Sequence, residues 1–87
     1  MSILAKNMKF VRKELGCTQS EMANVLGVGF RTFVRYEAGE RDAPLGVLIK
    51  IARLGNISLE NFLSKCIEPN DIVPLKNINN EITIQVN

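Results

Sequence analysis

The 87-residue sequence contains no histidine, the side chain used most often as a general base and as a metal ligand. It also lacks a Gly-rich phosphate loop, a nucleophile motif and any metal-ligand spacing. Its two cysteines, Cys17 and Cys66, lie too far apart to form a typical zinc motif and are too few for a disulfide framework. We therefore expect no catalytic activity, no bound metal and no cofactor.

Long apolar runs are also missing. No stretch of about 18 apolar residues occurs, so we expect no membrane partner. Lysines and an arginine interrupt the first 13 residues, a pattern unlike the apolar core of a secretory signal. Together with two cysteines that need not be oxidised, these features predict a cytoplasmic protein.

Apolar residues recur at helical spacing in five segments, which predicts an all-α domain of five helices in residues 1–68. Eighty-seven residues suffice for one modest core and not for two. Ser58 is the predicted cap of helix 5, and Cys66 is predicted to lie on that helix as a small apolar residue. The other predicted helices run from Ile3 to Leu15, from Gln19 to the glycine at position 27, from Phe30 to Glu37, and from Pro44 to Leu54.

The segment from Thr18 to Pro44 has the clearest pattern. Thr18 and Glu21 form a capping box at the start of helix 2, and Gly27 ends that helix at a position that requires positive φ. One face of helix 3 is predicted to point into the core and the other to carry arginines. A helix pair of this size can set its second helix into the major groove of DNA.

Charge is unevenly distributed along the chain. Residues 1–55 contain nine Lys and Arg and five acidic residues, a net of +4, whereas residues 56–87 contain two Lys and four acidic residues, a net of −2. The positive charge therefore belongs to the half that contains the helix pair, which favours nucleic acid over a merely solvated basic surface.

The helix pair resembles the helix-turn-helix of the phage repressor and Cro family of Xre-type regulators, and the resemblance extends from helix 1 to about Leu63. Gly29 stands where the family usually has Ser or Thr, and Phe30 and Val34 stand where many members have polar residues that read bases. The residues that carry the resemblance are Thr18-Gln19, Met22-Ala23, Leu26-Gly27-Val28, Thr32-Phe33, Arg35-Tyr36-Glu37 and Gly39.

This resemblance implies a five-helix repressor-like fold and a sequence-specific, double-stranded DNA-binding transcriptional regulator. A repressor that acts as a homodimer on an inverted-repeat operator is the expected form. Gln19 would hold a phosphate or support the first base contact, and Arg12 on helix 1 would pair with Glu37. The expected DNA-binding residues are Lys9, Gln19, Gly29, Phe30, Arg31, Thr32, Val34, Arg35 and Arg41.

The segment from residue 69 to residue 87 differs from the rest of the chain. Ile82, Ile84 and Val86 alternate with polar residues, which predicts a strand with one apolar face. We expect a short C-terminal β tail that holds a homodimer, as in Cro-like proteins. Two alternatives are a floppy tail and a dimer made by helix 5.

A second function remains open from the sequence. Phe30 and Val34 could form an apolar face that binds a protein, such as a toxin or a polymerase, with little DNA reading. The lineage is equally open among a phage repressor, a Cro-like switch protein, a restriction controller and an antitoxin.

Overall fold

A computed structural model describes residues 2–72 of the chain, and all regular structure in this part is helical. The all-α class and the five predicted helices are confirmed. The expected β tail, with Ile82, Ile84 and Val86, lies outside the described residues, and the division at residue 68 stays a prediction. The helices are α1 (Ile3–Glu14), α2 (Gln19–Leu26), α3 (Phe30–Ala38), α4 (Leu45–Leu54) and α5 (Leu59–Ser64), followed by a 3₁₀ turn at Pro69–Asp71.

Local sequence sets most of the helix ends. The Thr18 hydroxyl accepts the N–H of Glu21 (3.0 Å), and the Glu21 carboxylate accepts the N–H of Thr18 (2.8 Å), so the predicted capping box is present. Gly27 and Gly39 end α2 and α3 with φ of 73° and 75°, a conformation that costs little only for glycine. The α2–turn–α3 unit therefore follows from its own residues.

Several predicted ends differ from the structure. Helix α1 ends at Glu14, one residue early, α3 continues to Ala38, and α4 begins at Leu45 because Pro44 is its capping residue with extended ψ. The largest error concerns α5, which ends at Ser64. The predicted place of Cys66 on that helix was wrong, since Cys66 follows the helix and is exposed.

The early end of α5 is coupled to a buried polar residue of α1. The Asn7 side chain, 1% exposed, donates from Nδ2 to the carbonyl oxygens of Phe62 (2.9 Å) and Lys65 (2.8 Å). Its Oδ1 accepts the N–H of Ile67 (3.0 Å). Asn7 thus satisfies carbonyl groups at the end of α5, which would otherwise lack partners, and it holds the following segment against α1.

One core lies between the five helices. Helix α1 packs against α3, α4 and α5, α2 packs against α3 and α4, and α4 packs against α5. Leu63 of α5 is 42% exposed and lies outside this core. The largest fully buried side chains are Phe33, Phe62, Met22, Ile51, Val11 and Asn7.

Helix α4 also closes the end of α2, because Lys50 Nζ donates to the carbonyl oxygen of Leu26 at 3.4 Å. A cation at the C-terminal end of a helix is favourable for the helix dipole.

Among the described helices, none is long and apolar enough to cross a membrane.

Candidate nucleic-acid interface

Helix α3 is fixed to the core by its inner face. Phe33 is completely buried and Tyr36 is 4% exposed. Ala23 of α2 is also buried at 2%, and its carbonyl oxygen accepts the N–H of Val28 in the turn (3.0 Å). A small residue at this position lets α2 and α3 approach closely, so the orientation of α3 is set by packing.

The outer face of α3 carries the residues expected to read DNA. Arg31 and Arg35 are exposed, Phe30 is 52% exposed, and Val34 and Thr32 are half-buried. Two exposed guanidinium groups and one aromatic ring therefore stand on the surface of a helix whose opposite side is buried in the core. This arrangement can present hydrogen-bond donors and an apolar edge to a groove.

A buried ionic cluster joins α3 to α1 and α2. Arg12 donates from Nε to Glu37 Oε2 (2.7 Å), from Nη2 to Glu37 Oε1 (3.2 Å), and from Nη1 to the carbonyl oxygen of Cys17 (2.8 Å). Gln19 adds a bond from Nε2 to Glu37 Oε1 (3.0 Å). The two charged side chains are 10% and 3% exposed. Paired, charge-assisted bonds of this kind fix direction as well as distance.

The place of Gln19 bears on its expected role. Its amide nitrogen donates one N–H to Glu37 Oε1, which leaves the second N–H of the amide as a donor and the amide oxygen as an acceptor. The first backbone N–H groups of α2 have no partner within the helix and are further donors at this place. The side chain thus lies where it supports α3.

The N-terminus of α3 lacks a side-chain cap. Gly29 has a φ of −66° and makes no capping side-chain bond, so a Ser or Thr could occupy the position without backbone strain. A Cβ there would lie 3.7 Å from the Thr32 hydroxyl, an ordinary contact.

Lys9 and Arg41, two of the expected DNA-binding residues, lie in different places. Lys9 lines an open groove of about 270 Å³ together with Gln19, Val34, Glu37 and Ala38, so it borders the outer face of α3. Arg41 lines a smaller cleft of about 70 Å³ beside Tyr36, near the start of α1. The structure brings Lys9, Gln19 and Val34 together and separates Arg41 from them.

Three features of this region were missed from the sequence. Lys6, Lys9 and Lys13 form an exposed stripe along α1, which their spacing of three and four residues could have indicated. Asn7 sits among the apolar positions of α1, and a polar residue in such a stripe was the available signal. The bond from Gln19 to Glu37 has no signal in the sequence. Within residues 2–72, no cluster of side chains suited to a metal ion occurs.

Comparison with known proteins gives several matches. The HTH-type transcriptional regulator ImmR of Bacillus subtilis (strain 168) is 36% identical over 62 residues, which are 71% of this chain and 49% of ImmR. The uncharacterized HTH-type transcriptional regulator YqaE of the same strain is 33% identical over 61 residues, 70% of this chain and 53% of YqaE. The uncharacterized HTH-type transcriptional regulator y4mF of Sinorhizobium fredii (strain NBRC 101917 / NGR234) is 36% identical over 53 residues, 61% of this chain and 70% of y4mF.

The chain spans about half the length of the first two of these relatives. No solved structure matches it significantly. The profile of the family described as helix-turn-helix matches residues 8–62, which include α2, the Gly27 turn and α3. The chain therefore belongs to the helix-turn-helix family, of the Cro/C1 type.

Proposed function

We propose that this protein is a sequence-specific regulator of transcription that binds double-stranded DNA through the outer face of α3. The observation that carries the proposal is the pair of exposed arginines, Arg31 and Arg35, on a helix held from behind by the Arg12–Glu37 cluster. The relatives named above are called transcriptional regulators, and the helix-turn-helix profile covers this unit. Such a protein would work beside the DNA in the cytoplasm.

Affinity would come mainly from phosphates. The net charge of +4 in residues 1–55 attracts the duplex, and each neutralised phosphate adds about −0.9 to the slope of log K against log salt. Lys9 is exposed beside α3 and would contact the DNA backbone, as would the N-terminus of α2 at Gln19. Arg41, which follows the C-terminal end of α3, would reach the backbone from there.

Specificity would come from base edges in the major groove. An arginine can donate two hydrogen bonds to guanine O6 and N7, worth about 1–3 kcal/mol of discrimination against a wrong base. Arg31 and Arg35 are exposed and free to do this, whereas Thr32 is half-buried and Gly29 has no side chain. These last two positions would meet the backbone at the entrance of the groove.

The test compares two variants, Arg31→Ala and Arg35→Ala, on a selected specific duplex and on a scrambled duplex of equal length. Loss of a base contact should weaken specific binding by roughly 1–3 kcal/mol and spare scrambled binding. Arg53→Ala is the control, because Arg53 is an exposed arginine on α4. Equal losses on both duplexes would make the residue a phosphate contact, and no loss from either variant would contradict the proposed reading face.

Repression by a homodimer is the finer form of the proposal. Two copies would place two α3 helices on half-sites about 34 Å apart in an inverted repeat. Burial of Ile82, Ile84 and Val86 against a second copy would contribute roughly 1.5–3 kcal/mol for each fully buried side chain. A chain that stops after Ile72 keeps all the described residues, so it should fold but be monomeric and bind two half-sites weakly. A truncated chain that stays dimeric in solution and binds as tightly would contradict this role of the tail.

One observation favours a second function, in which the same surface binds a protein such as a toxin or a polymerase. Phe30 on α3 is 52% exposed and Val34, one turn further along, is half-buried, and exposed apolar side chains that form one contiguous patch mark a protein interface. The two functions differ in their response to salt, because apolar contacts are not weakened by counter-ions.

A further inference from the structure

The outer face of α3 repeats one pair of side chains. An apolar residue is followed by arginine at Phe30–Arg31 and again, four residues later, at Val34–Arg35. Four residues of α-helix span about 6 Å, which is close to the length of two base-pair steps. Two neighbouring residues of a helix lie only about 1.5 Å apart along its axis, so the two side chains of each pair start from nearly the same height on α3.

Burial distinguishes the two pairs. Val34 is half-buried and lines the groove that also contains Lys9 and Gln19. Phe30 is 52% exposed at the first position of α3. Phe30 is therefore the apolar side chain of this face that has substantial free surface for a ligand, and Arg31 stands beside it with an exposed guanidinium group.

The groove beside Phe30 contains no group that would bind a phosphate through a side-chain charge. The Phe30 ring borders this open groove of about 320 Å³ between α2 and α3, which contains no cationic side chain; its lining is Ser20, Glu21, Ala23, Asn24, Val28 and Phe30. The one charged side chain there, Glu21, is an anion and is engaged in the capping box. An aromatic ring offers no hydrogen-bond donor or positive charge to a phosphate, so Phe30 fits an apolar group on a base better than a position on the DNA backbone.

Only one apolar group is displayed on base edges in the major groove, the C5 methyl group of thymine. A cytosine that carries a 5-methyl group displays the same methyl at the same place. We propose that Phe30 and Arg31 together read a 5-methylpyrimidine next to a guanine, with Phe30 on the methyl group and Arg31 on guanine O6 and N7. This inference rests on the proposed DNA binding and names the base chemistry that the binding would require.

The experiment begins with a random duplex library of the four standard bases, from which the protein selects its site. Each thymine of the selected site is then replaced in turn by deoxyuridine, which removes the C5 methyl group and nothing else. Loss of the methyl read by Phe30 should weaken binding about fourfold, the factor that corresponds to burial of one CH₂-sized group. A 5-methylcytosine at that position should bind about fourfold tighter than an unmethylated cytosine, by the same reasoning.

Two variants assign the effect to its residue. Phe30→Ala should bind the thymine and deoxyuridine duplexes equally, whereas Val25→Ala, which removes an exposed apolar side chain of α2, should keep the full ratio. The wild-type measurement does not depend on the folding of either variant. Equal affinity for deoxyuridine at every position, or a ratio that survives in Phe30→Ala, would overturn the inference while leaving DNA binding intact. Failure of the protein to enrich any duplex would overturn the proposed function as well.

Discussion

Replacement of Glu37 by glutamine tests whether the buried cluster sets the position of α3. The Glu37 side chain is 3% exposed and accepts two bonds from Arg12 and one from Gln19. Glu37→Gln keeps the shape but removes the charge, so the Arg12 guanidinium, itself 10% exposed, loses its counter-charge. Breaking a buried pair from one side costs about 3–5 kcal/mol, because the remaining charge stays desolvated.

Unfolding followed by far-UV circular dichroism gives the magnitude, since the chain contains no tryptophan for fluorescence. A loss of about 3 kcal/mol lowers the Tm of a domain of this size by at least about 12 °C. Replacing both charges, as in Arg12→Met with Glu37→Leu, should recover much of the loss, because no buried charge is then left unpaired.

The matched control is Glu40→Gln, the same chemical change at an exposed position three residues further along the chain. Its free energy of unfolding should stay within about 0.5 kcal/mol of wild type. The reasoning would be refuted if the free energy of unfolding of Glu37→Gln lay within about 1 kcal/mol of that of wild type, because an exposed ion pair contributes about 0–1 kcal/mol.

Three further predictions concern stability. Asn7→Ala should cost about 2–4 kcal/mol in urea unfolding, because one buried carbonyl oxygen, one partly buried carbonyl oxygen and one buried N–H lose their partner; a cost under 1 kcal/mol would contradict this. Gly55→Ala should lower the free energy of unfolding by about 1–3 kcal/mol, since the added carbon would lie 3.1 and 3.2 Å from core side chains. Gly46→Ala, which has open space around it, should raise that free energy by up to about 1 kcal/mol. The reverse order of the two variants would refute the packing argument. The N–H of Glu68 donates to Asp71 and lowers the pKa of Asp71 below its ordinary value of 3.8. The stability that this lowered pKa contributes is present above pH 3.8 and is lost as pH falls through the lower folded pKa. In a series of melts at different pH, the Tm of Asp71→Asn should therefore fall less steeply with acid than the Tm of wild type.

The parts of the fold that follow from short-range signals were predictable from the sequence. Thr18 and Glu21 marked the start of α2, and Gly27 marked its end, because capping and positive φ depend on the residue and its near neighbours. The inward and outward faces of α3 followed from helical spacing. The same spacing placed Arg31 and Arg35 on the surface.

Features that depend on distant contacts were not predictable. Helix α5 ends at Ser64 because its last carbonyl groups bond to Asn7, 55 and 58 residues earlier in the chain, and apolar spacing alone extended it to Cys66. The hydrogen-bond partner of Gln19 is Glu37, 18 residues away on α3. The sequence therefore offered no basis for choosing between a phosphate contact and support of a base contact as the role of the Gln19 side chain. These errors arise where tertiary hydrogen bonds override local pattern.

The most direct test of the central claim is the salt dependence of binding to a selected duplex, measured by fluorescence anisotropy for wild type and for Lys9→Ala. The account predicts a steep linear fall of log K with log salt, with a contribution of about −0.9 from each phosphate contacted. Lys9→Ala should reduce the slope by about one such contact. A nearly flat response for wild type would contradict DNA binding as the function of α3 and favour a protein partner.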